Sequence, residues 1–391
     1  MGLSRDSRPS TVLQVHTHYR RPGGEDAVVS NLTSALSRAG IHTETFETEN
    51  PSGMATVAGL SRAVWNKKQA GALTRHIESL KPDVTHIHNT WFAMSASVAE
   101  TAHRAGPVVM TLHNYRLTCA NGTLYRAGGA CEKCVDASPW TGMWLNCYRD
   151  PISSGIAAAN VAIHRKRNTW NDNVDSFFAL SAFAVEIFVR GGIERERLQV
   201  IDNHVADPGP RPAPPSESDY VLYVGRLSEE KGVAGLVERW SRVGPDDLDL
   251  VVCGDGPLRS QLQSTPGVIL KGWTAPDEVA RLMLNARALI FPSSWYEGQP
   301  LTILEAFASG LPVLGSRIGA ITELLEFLGP EWLPRPDSDD DWGRGFELLT
   351  TSAVDQASRK VRSRFMQRHT ESVVVDRLIE GYRRAIADHA S

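Results

Sequence analysis

Cysteine is scarce in this chain, five among 391 residues, too few for the disulfide framework of a small secreted protein. No run of 18 apolar residues occurs, so a membrane-spanning helix is not expected. The opening Met1–Thr11 is polar and lacks the apolar stretch of a secretory leader. A cytoplasmic protein is the expectation. An excess of one charge is missing too: 41 Lys+Arg against 45 Asp+Glu leave a net −4. That small total divides unevenly, with 21 basic against 18 acidic residues in 1–205 and 20 against 27 in 206–391. Nucleic-acid binding asks for a concentrated basic face, so no nucleic-acid partner is expected. The fingerprint G-x-G-x-x-G is absent from the first strand–helix turn, which disfavours a dehydrogenase. No convincing Asp-x-Asp stands at a strand end.

What is present is an ordinary globular balance, 42% apolar and 22% charged, in a chain long enough for two domains. Short strand-like runs stand at Val12–Val15, Val84–Ile87, Val108–Leu112, Phe177–Leu180 and Leu198–Ile201. A second series follows at Tyr220–Val224, Leu248–Cys253, Val268–Leu270, Ala288–Phe291 and Pro312–Leu314. Amphipathic stretches such as Ala27–Ala39 and Ser95–Arg104 lie between them. This alternation predicts parallel sheets with crossover helices. Five prolines punctuate Asp207–Ser218, a composition that reads as a stiff interdomain linker. The expected division is therefore 1–206 as a first Rossmann-like domain, 207–218 as linker and 219–370 as a second such domain. A C-terminal helix at 371–391 would pack back on the first. Val374, Leu378, Ile379, Tyr382 and Ile386 share one face of that helix. Ligands of doubly wound sheets sit at the carboxyl ends of the strands, here in the cleft between the two domains.

The segment Glu297–Val313, EGQPLTILEAFASGLPV, follows the strand ending at Phe291. Pro300 suits a helix's first turn, where its missing donor costs nothing. A helix is expected to start near Gly298–Pro300 and to end before Gly310. Its free amides, with Gly298, Gln299, Pro300 and Leu301 at the opening, would make an anion site fit for a diphosphate. Glu297 and Glu305 lie eight residues apart, roughly 80° around the axis and about 12 Å along it. That spacing suits two contacts on one extended ligand rather than one acid–base pair. Gly225–Gly232, GRLSEEKG, follows the strand Tyr220–Val224 and offers Arg226 and Lys231. A planar guanidinium and a point-charge ammonium can converge on one phosphate.

Four more places carry chemistry. Tyr19–Asp26 brings Gly23 and Gly24, which would let backbone approach a ligand. His113 closes an apolar strand, where it can donate to a sugar hydroxyl; His16, His18, His86 and His88 also flank strand ends, where a structural role is the plainer reading. Gly254 and Gly256 follow one strand, and Gly272 and Trp273 another. Cys119, Cys131, Cys134 and Cys147 lie in a long insertion with spacing C-x11-C-x2-C-x12-C. Structural zinc, reduced thiols and disulfides are all open for them, zinc leading because the insertion has little core of its own.

Glu297–Val313 and Gly225–Gly232 resemble the E-x7-E and Arg/Lys motifs of the family 4 retaining glycosyltransferases (glycosyltransferase group 1). One subset of that family also shares the cysteine-bearing stretch after His113-Asn114. The resemblance covers nearly the whole chain and implies an α/β GT-B fold, two Rossmann-like doubly wound domains facing a cleft, with C-terminal helices and no catalytic metal. It implies that Glu297 binds hydroxyls of the donor sugar and that Glu305 grips the ribose. Arg226 and Lys231 would neutralise the leaving diphosphate. Gly23, Gly24 and His113 would lie near the transferred sugar, and Gly254, Gly256, Gly272 and Trp273 would flank the base. The expected activity is retaining transfer of a hexose from a UDP- or GDP-linked donor to a carbohydrate or lipid-linked acceptor. Polysaccharide or lipid-linked glycan synthesis at the cytoplasmic membrane face would be the setting. Arg165-Lys166-Arg167, after the apolar Ile152–Ile163, would supply peripheral contact with lipid head groups. The alternatives are a small natural-product acceptor and, from another class, a non-catalytic nucleotide-sugar binding module.

Overall fold

Nearly every apolar run read above becomes a parallel strand in the computed structural model, which describes residues 8–18, 23–50, 62–262 and 265–390. Tyr19–Pro22 of the glycine-bearing loop lie outside the described residues. Two compact units emerge. The first takes the chain up to Leu124, then Cys131–Asn203, and resumes at Val374; the second takes Tyr125–Ala130 and His204–Val373.

The first unit is built on a six-stranded sheet of order β2-β1-β3-β4-β7-β8. Its strands are β1 (Thr11–His18), β2 (His42–Glu49), β3 (Val84–Asn89), β4 (Val108–Leu112), β7 (Ser176–Ala179) and β8 (Leu198–Val200), paired in parallel throughout. Central β3 and β4 are buried along their whole length, as expected of strands covered on both faces. β2 differs from the sequence expectation. Its sequence HTETFETE has one aromatic among polar residues, and it survives as an edge strand with only partial burial.

The helix Glu371–His389 supplies Val375, Leu378, Ile379, Tyr382, Ala385 and Ile386 to a core with Val12, Val84, Val109 and Phe178. Gly381 permits the close approach. A Cβ there would meet the Phe178 ring at 2.8 Å and Ile201 at 3.1 Å. The last helix is thus a structural member of the first unit from Val374 onward.

The second unit holds a five-stranded sheet, β11-β10-β9-β12-β13. The strands are β9 (Tyr220–Val224), β10 (Asp249–Cys253), β11 (Val268–Gly272), β12 (Leu289–Phe291) and β13 (Val313–Gly315). A two-stranded ribbon, β5 (Tyr125–Arg126) with β6 (Gly129–Ala130), belongs to this unit as well. The Pro-rich stretch is tied along the second unit instead of spanning free. Asp207 pairs with Arg362 at 2.7 and 2.8 Å, Arg211 donates to the Ala286 carbonyl at 2.7 Å, and Ser216 donates to Asp355. Prolines lower the entropy of the unbound segment, and side-chain contacts that composition does not reveal fix its path. No helix among the described residues is long and apolar enough to cross a membrane.

Candidate active site

In the second unit, three strand ends are stitched together by backbone. Gly225 N–H donates to the Cys253 carbonyl at 3.0 Å, and Gly254 N–H to the Gly272 carbonyl at 2.7 Å. Gly254 has φ +146°, and a Cβ there would lie 1.8 Å from the Gly225 oxygen. Only glycine fits. Gly256 N–H donates to the Asp255 carboxylate at 2.8 Å, which rounds off the turn after β10. Trp273, just past β11, stands 73% exposed, a bare indole face beside these turns.

From β9 the chain runs through Arg226 into a 3-10 turn, Glu229–Lys231, closed by Gly232 at φ +69°. A side chain at Gly232 would strike the Pro292 carbonyl at 2.0 Å. This contact joins the β9 turn to the turn after β12. Ser294 N–H donates to the Glu230 carbonyl at 3.0 Å. The two motifs, sixty-odd residues apart in sequence, therefore share one frame.

Within that frame Lys231 Nζ lies 2.6 Å from Glu297 Oε1. Ser293 Oγ donates to the same oxygen at 3.0 Å, and the ammonium sits 5.1 Å from the centre of the Trp295 ring. Glu297 is only 8% exposed, so its charge is compensated by the lysine and hydroxyl beside it. Burial, with the Glu297 and Glu230 charges behind it, pushes the Tyr223 phenol up, so it stays protonated and donates to the Arg226 carbonyl at 2.9 Å. Arg226 itself is exposed and has no carboxylate partner among the described residues.

The helix after Glu297 runs Leu301–Ala308, with Pro300 as its cap residue. The Ile303 N–H bonds back to the Pro300 carbonyl at 3.1 Å, leaving the first amides without an intrahelical acceptor. Gln299 is buried at 7% exposed. Glu305 keeps solvent access, yet desolvation by its surroundings raises its carboxyl pKa.

In the first unit, imidazoles line up at the end of β3 and β4. His86 accepts or donates at both nitrogens, to Tyr382 at 2.8 Å and Thr111 at 2.7 Å. His88 Nδ1 meets His113 Nε2 at 3.0 Å. Burial, reinforced by the neighbouring imidazoles, lowers His86 and His113 to about 3 and His88 well below its ordinary value. All three are neutral at pH 7. His113 thus offers hydrogen bonds rather than a charge. A pocket opens beside it, lined by Asn89, Trp91, Asn160 and Trp170 among others. Arg116 forms one wall, its guanidinium 4.7 Å from Trp91 and 5.2 Å from Tyr148.

Gly23 and Gly24 open the first helix with free space beside them. Gly23 is extended (φ −134°) and caps the helix Gly24–Arg38, its N–H donating to Asp26 at 2.8 Å. A Cβ at either glycine meets nothing within 4 Å. Asp26 also accepts from His16 and His18, at 2.8 and 3.1 Å.

All five cysteines are free thiols. Cys119 and Cys134 are hydrogen-bonded neighbours; that bond lowers Cys119 to about 6 and raises Cys134. Among the described residues, two groups bring three or more metal-capable side chains together, His16-His18-Asp26 and His103-Asp175-His389, and neither contains a cysteine. Of the basic triplet, Arg165 is half-buried and only Lys166 and Arg167 are exposed; burial lowers the Arg165 guanidinium.

Sequence reasoning passed over Ser293 and Trp295, although both sit in the turn directly before Glu297. It also passed over Trp91, Arg116, Asn160 and Trp170, which meet only through tertiary packing.

Comparison with known proteins follows this geometry. Residues 23–204 match the family described as "Glycosyl transferase 4-like domain", and residues 218–347 match "Glycosyl transferases group 1". The chain is 32% identical over 251 residues to the putative teichuronic acid biosynthesis glycosyltransferase TuaC of Bacillus subtilis, covering 63% of this chain and 56% of that protein. It spans about half the length of the curated relatives it matches. In structure it is similar to the lipopolysaccharide outer core galactosyltransferase WaaB, with a TM-score of 0.63 at 18% identity over 96% of this chain and 99% of that one. Anabaena HepE in complex with UDP-glucose gives a TM-score of 0.63 at 16% identity, covering 95% of this chain and 98% of that one.

Proposed function

The chain belongs to the GT-B glycosyltransferase superfamily, and on that premise we propose that it is a retaining transferase moving a hexose from a UDP- or GDP-linked donor to a hydroxyl of a growing glycan. The observation that carries this reading is the contact between Lys231 and Glu297, which unites a phosphate-binding cation with a carboxylate suited to sugar hydroxyls. HepE, a neighbour in fold, was crystallised with UDP-glucose, and TuaC is named for teichuronic acid synthesis. Both support a nucleotide-sugar donor and a carbohydrate product.

In the proposed reaction the bond from the anomeric carbon to the β-phosphate oxygen breaks. The acceptor oxygen bonds to that carbon on the same face, and its proton passes to the departing phosphate oxygen. Arg226, Lys231 and the amides of Leu301 and Thr302 stabilise the charge that develops on the diphosphate, the main task in such a departure. Glu297 holds sugar hydroxyls and Glu305 the ribose. Gly254, Gly256, Gly272 and Trp273 frame the base, while Gly298, Gln299 and Pro300 shape the phosphate approach. In the first unit, His113 donates to a sugar hydroxyl as a neutral imidazole, and the open Gly23-Gly24 backbone admits ligand. No catalytic metal takes part.

A lipid-linked acceptor is supported by exposed Trp140, Trp144 and Ile152, 43%, 79% and 64% accessible, which come just before and at the start of the helix Pro151–Lys166. Exposed aromatic and aliphatic side chains favour a membrane interface. The deciding experiment incubates the full chain with UDP-, GDP- and dTDP-sugars and follows nucleoside diphosphate release. Slow hydrolysis of one donor supports the assignment; no release and no binding of any donor would end it.

A further inference from the structure

Asp175 stands immediately before β7, at the amino-terminal edge of the first sheet and away from the strand ends that carry His88 and His113. It is almost wholly buried, its side chain 5% exposed. Val108 N–H, opening β4, donates to its Oδ2 at 2.7 Å, which fixes the carboxylate. Two helices end on it. His103 closes Ser97–His103, and His389 closes Glu371–His389.

His389 Nδ1 lies 3.2 Å from Asp175 Oδ1, and His103 Nδ1 lies 3.4 Å from Asp175 Oδ2. The two rings face edge to face at 89°, centroids 4.7 Å apart. The three ligand atoms are all within 4.8 Å of one another. His103 Nδ1 is buried and makes no hydrogen bond. A charged hydrogen bond would draw these atoms to about 2.7–2.9 Å. Tetrahedral zinc with bonds of about 2.0–2.1 Å has ligand–ligand edges of about 3.3 Å. The two edges that meet at Asp175, 3.2 and 3.4 Å to its separate oxygens, are close to that value, and the shorter one serves as a hydrogen bond when no ion is bound.

The surroundings agree. Asp172, Glu194, Glu196 and Asp388 line the same open pocket with Arg197, which pairs with Glu194 at 2.7 Å, so carboxylates outnumber the cation and offer a candidate fourth ligand beside water. The Val108 amide acts as the outer partner that orients the first-row carboxylate.

We propose that His103, Asp175 and His389 bind one divalent transition-metal ion of the zinc class, through two imidazole nitrogens and a carboxylate. Residues 72 and 214 positions apart (103 to 175, 175 to 389) meet there, so the ion would pin the last helix to the sheet edge. Imidazole with carboxylate suits Zn2+, Co2+ or Ni2+ over Mg2+ or Ca2+.

The test uses the full chain without a histidine tag, stripped by chelator and titrated with Co2+ while the visible spectrum and the bound equivalents are recorded. The expected result is d–d absorption and one bound equivalent that are lost in both His389→Gln and Asp175→Asn, separately from any thiolate band of the cysteine-bearing insertion. Zn2+ should raise the melting temperature of the wild-type chain by several degrees more than that of His389→Gln. His389 sits in the last helical turn, so its replacement leaves the fold in place, which circular dichroism verifies. Wild-type stoichiometry in both variants, or a signal of thiolate character alone, overturns the site.

Discussion

Lys231 Nζ and Glu297 Oε1 are 2.6 Å apart, although they come from turns after different strands, β9 and β12. The pair is held by a backbone contact that tolerates only glycine at 232. On the proposed reading, the lysine leaves the carboxylate for a diphosphate when donor arrives. Lys231→Ala and Glu297→Ala should each reduce nucleoside diphosphate release by about 10²–10³, the usual loss on removing one electrostatic contact to a transition state. Circular dichroism should stay native. Activity within threefold of wild type in either variant refutes the assignment.

Trp273 presents an indole to solvent beside Gly272. Stacking on a base is worth about 1–3 kcal/mol. Trp273→Ala should weaken nucleoside diphosphate binding by roughly tenfold or more, read by calorimetry, with Trp273→Phe recovering much of it. Equal affinity in the alanine variant dismisses the stacking role.

Buried imidazoles set an acid limit. His86 titrates near 3 in the folded chain against an ordinary 6.5. Between those values the unfolded chain binds more protons, so stability falls as pH drops below 6.5 and the loss is complete at about 3. His113 and His88 are lowered in the same direction. The slope from one such group reaches about 1.4 kcal/mol per pH unit. Urea midpoints should decline steadily from pH 7 to pH 4, and His86→Gln should flatten the curve. A flat profile in the wild-type chain contradicts the neutral assignment.

For the cysteine-bearing insertion, structural zinc at Cys119, Cys131, Cys134 and Cys147 is a proposal with a direct assay. Protein prepared without chelator should carry zinc, and Co2+ exchange should produce a thiolate charge-transfer band that Cys131→Ser abolishes. Absence of that band leaves Cys119 and Cys134 as a thiol pair.

Exposed Trp144, at 79% accessible, gives the membrane reading its own measurement. Sedimentation with vesicles rich in anionic lipid should retain the chain, and Trp140→Ala with Trp144→Ala should release it. Equal retention of both proteins counts against the patch.

Much of this was legible in the residues because burial dictates it. Runs such as Val108–Leu112 and Tyr220–Val224 could only be buried parallel strands, and both are. β2 was hidden because an edge strand needs little apolar surface. At the site, Glu297 and Lys231 were readable as local motifs. Trp91, Arg116 and Trp170 were not, since each belongs to a different segment and gains meaning only from its neighbours. Gly23 was readable as a position where backbone can approach a ligand, but its part as cap of the helix Gly24–Arg38 was not, since that depends on the Asp26 side chain turning back to its N–H.

The return of the chain after Val373 to the first unit bears on how this protein is made. Phe178 and Val109 await Tyr382 and Leu378 for their covering, so the earlier-synthesised unit stays unfinished while the later one, from His204 to Val373, can close around its own apolar residues. During translation the order of completion is reversed relative to the order of synthesis. A ribosome stalled before residue 374 would hold a nascent chain with a sticky, half-covered sheet, the kind of surface that chaperones recognise.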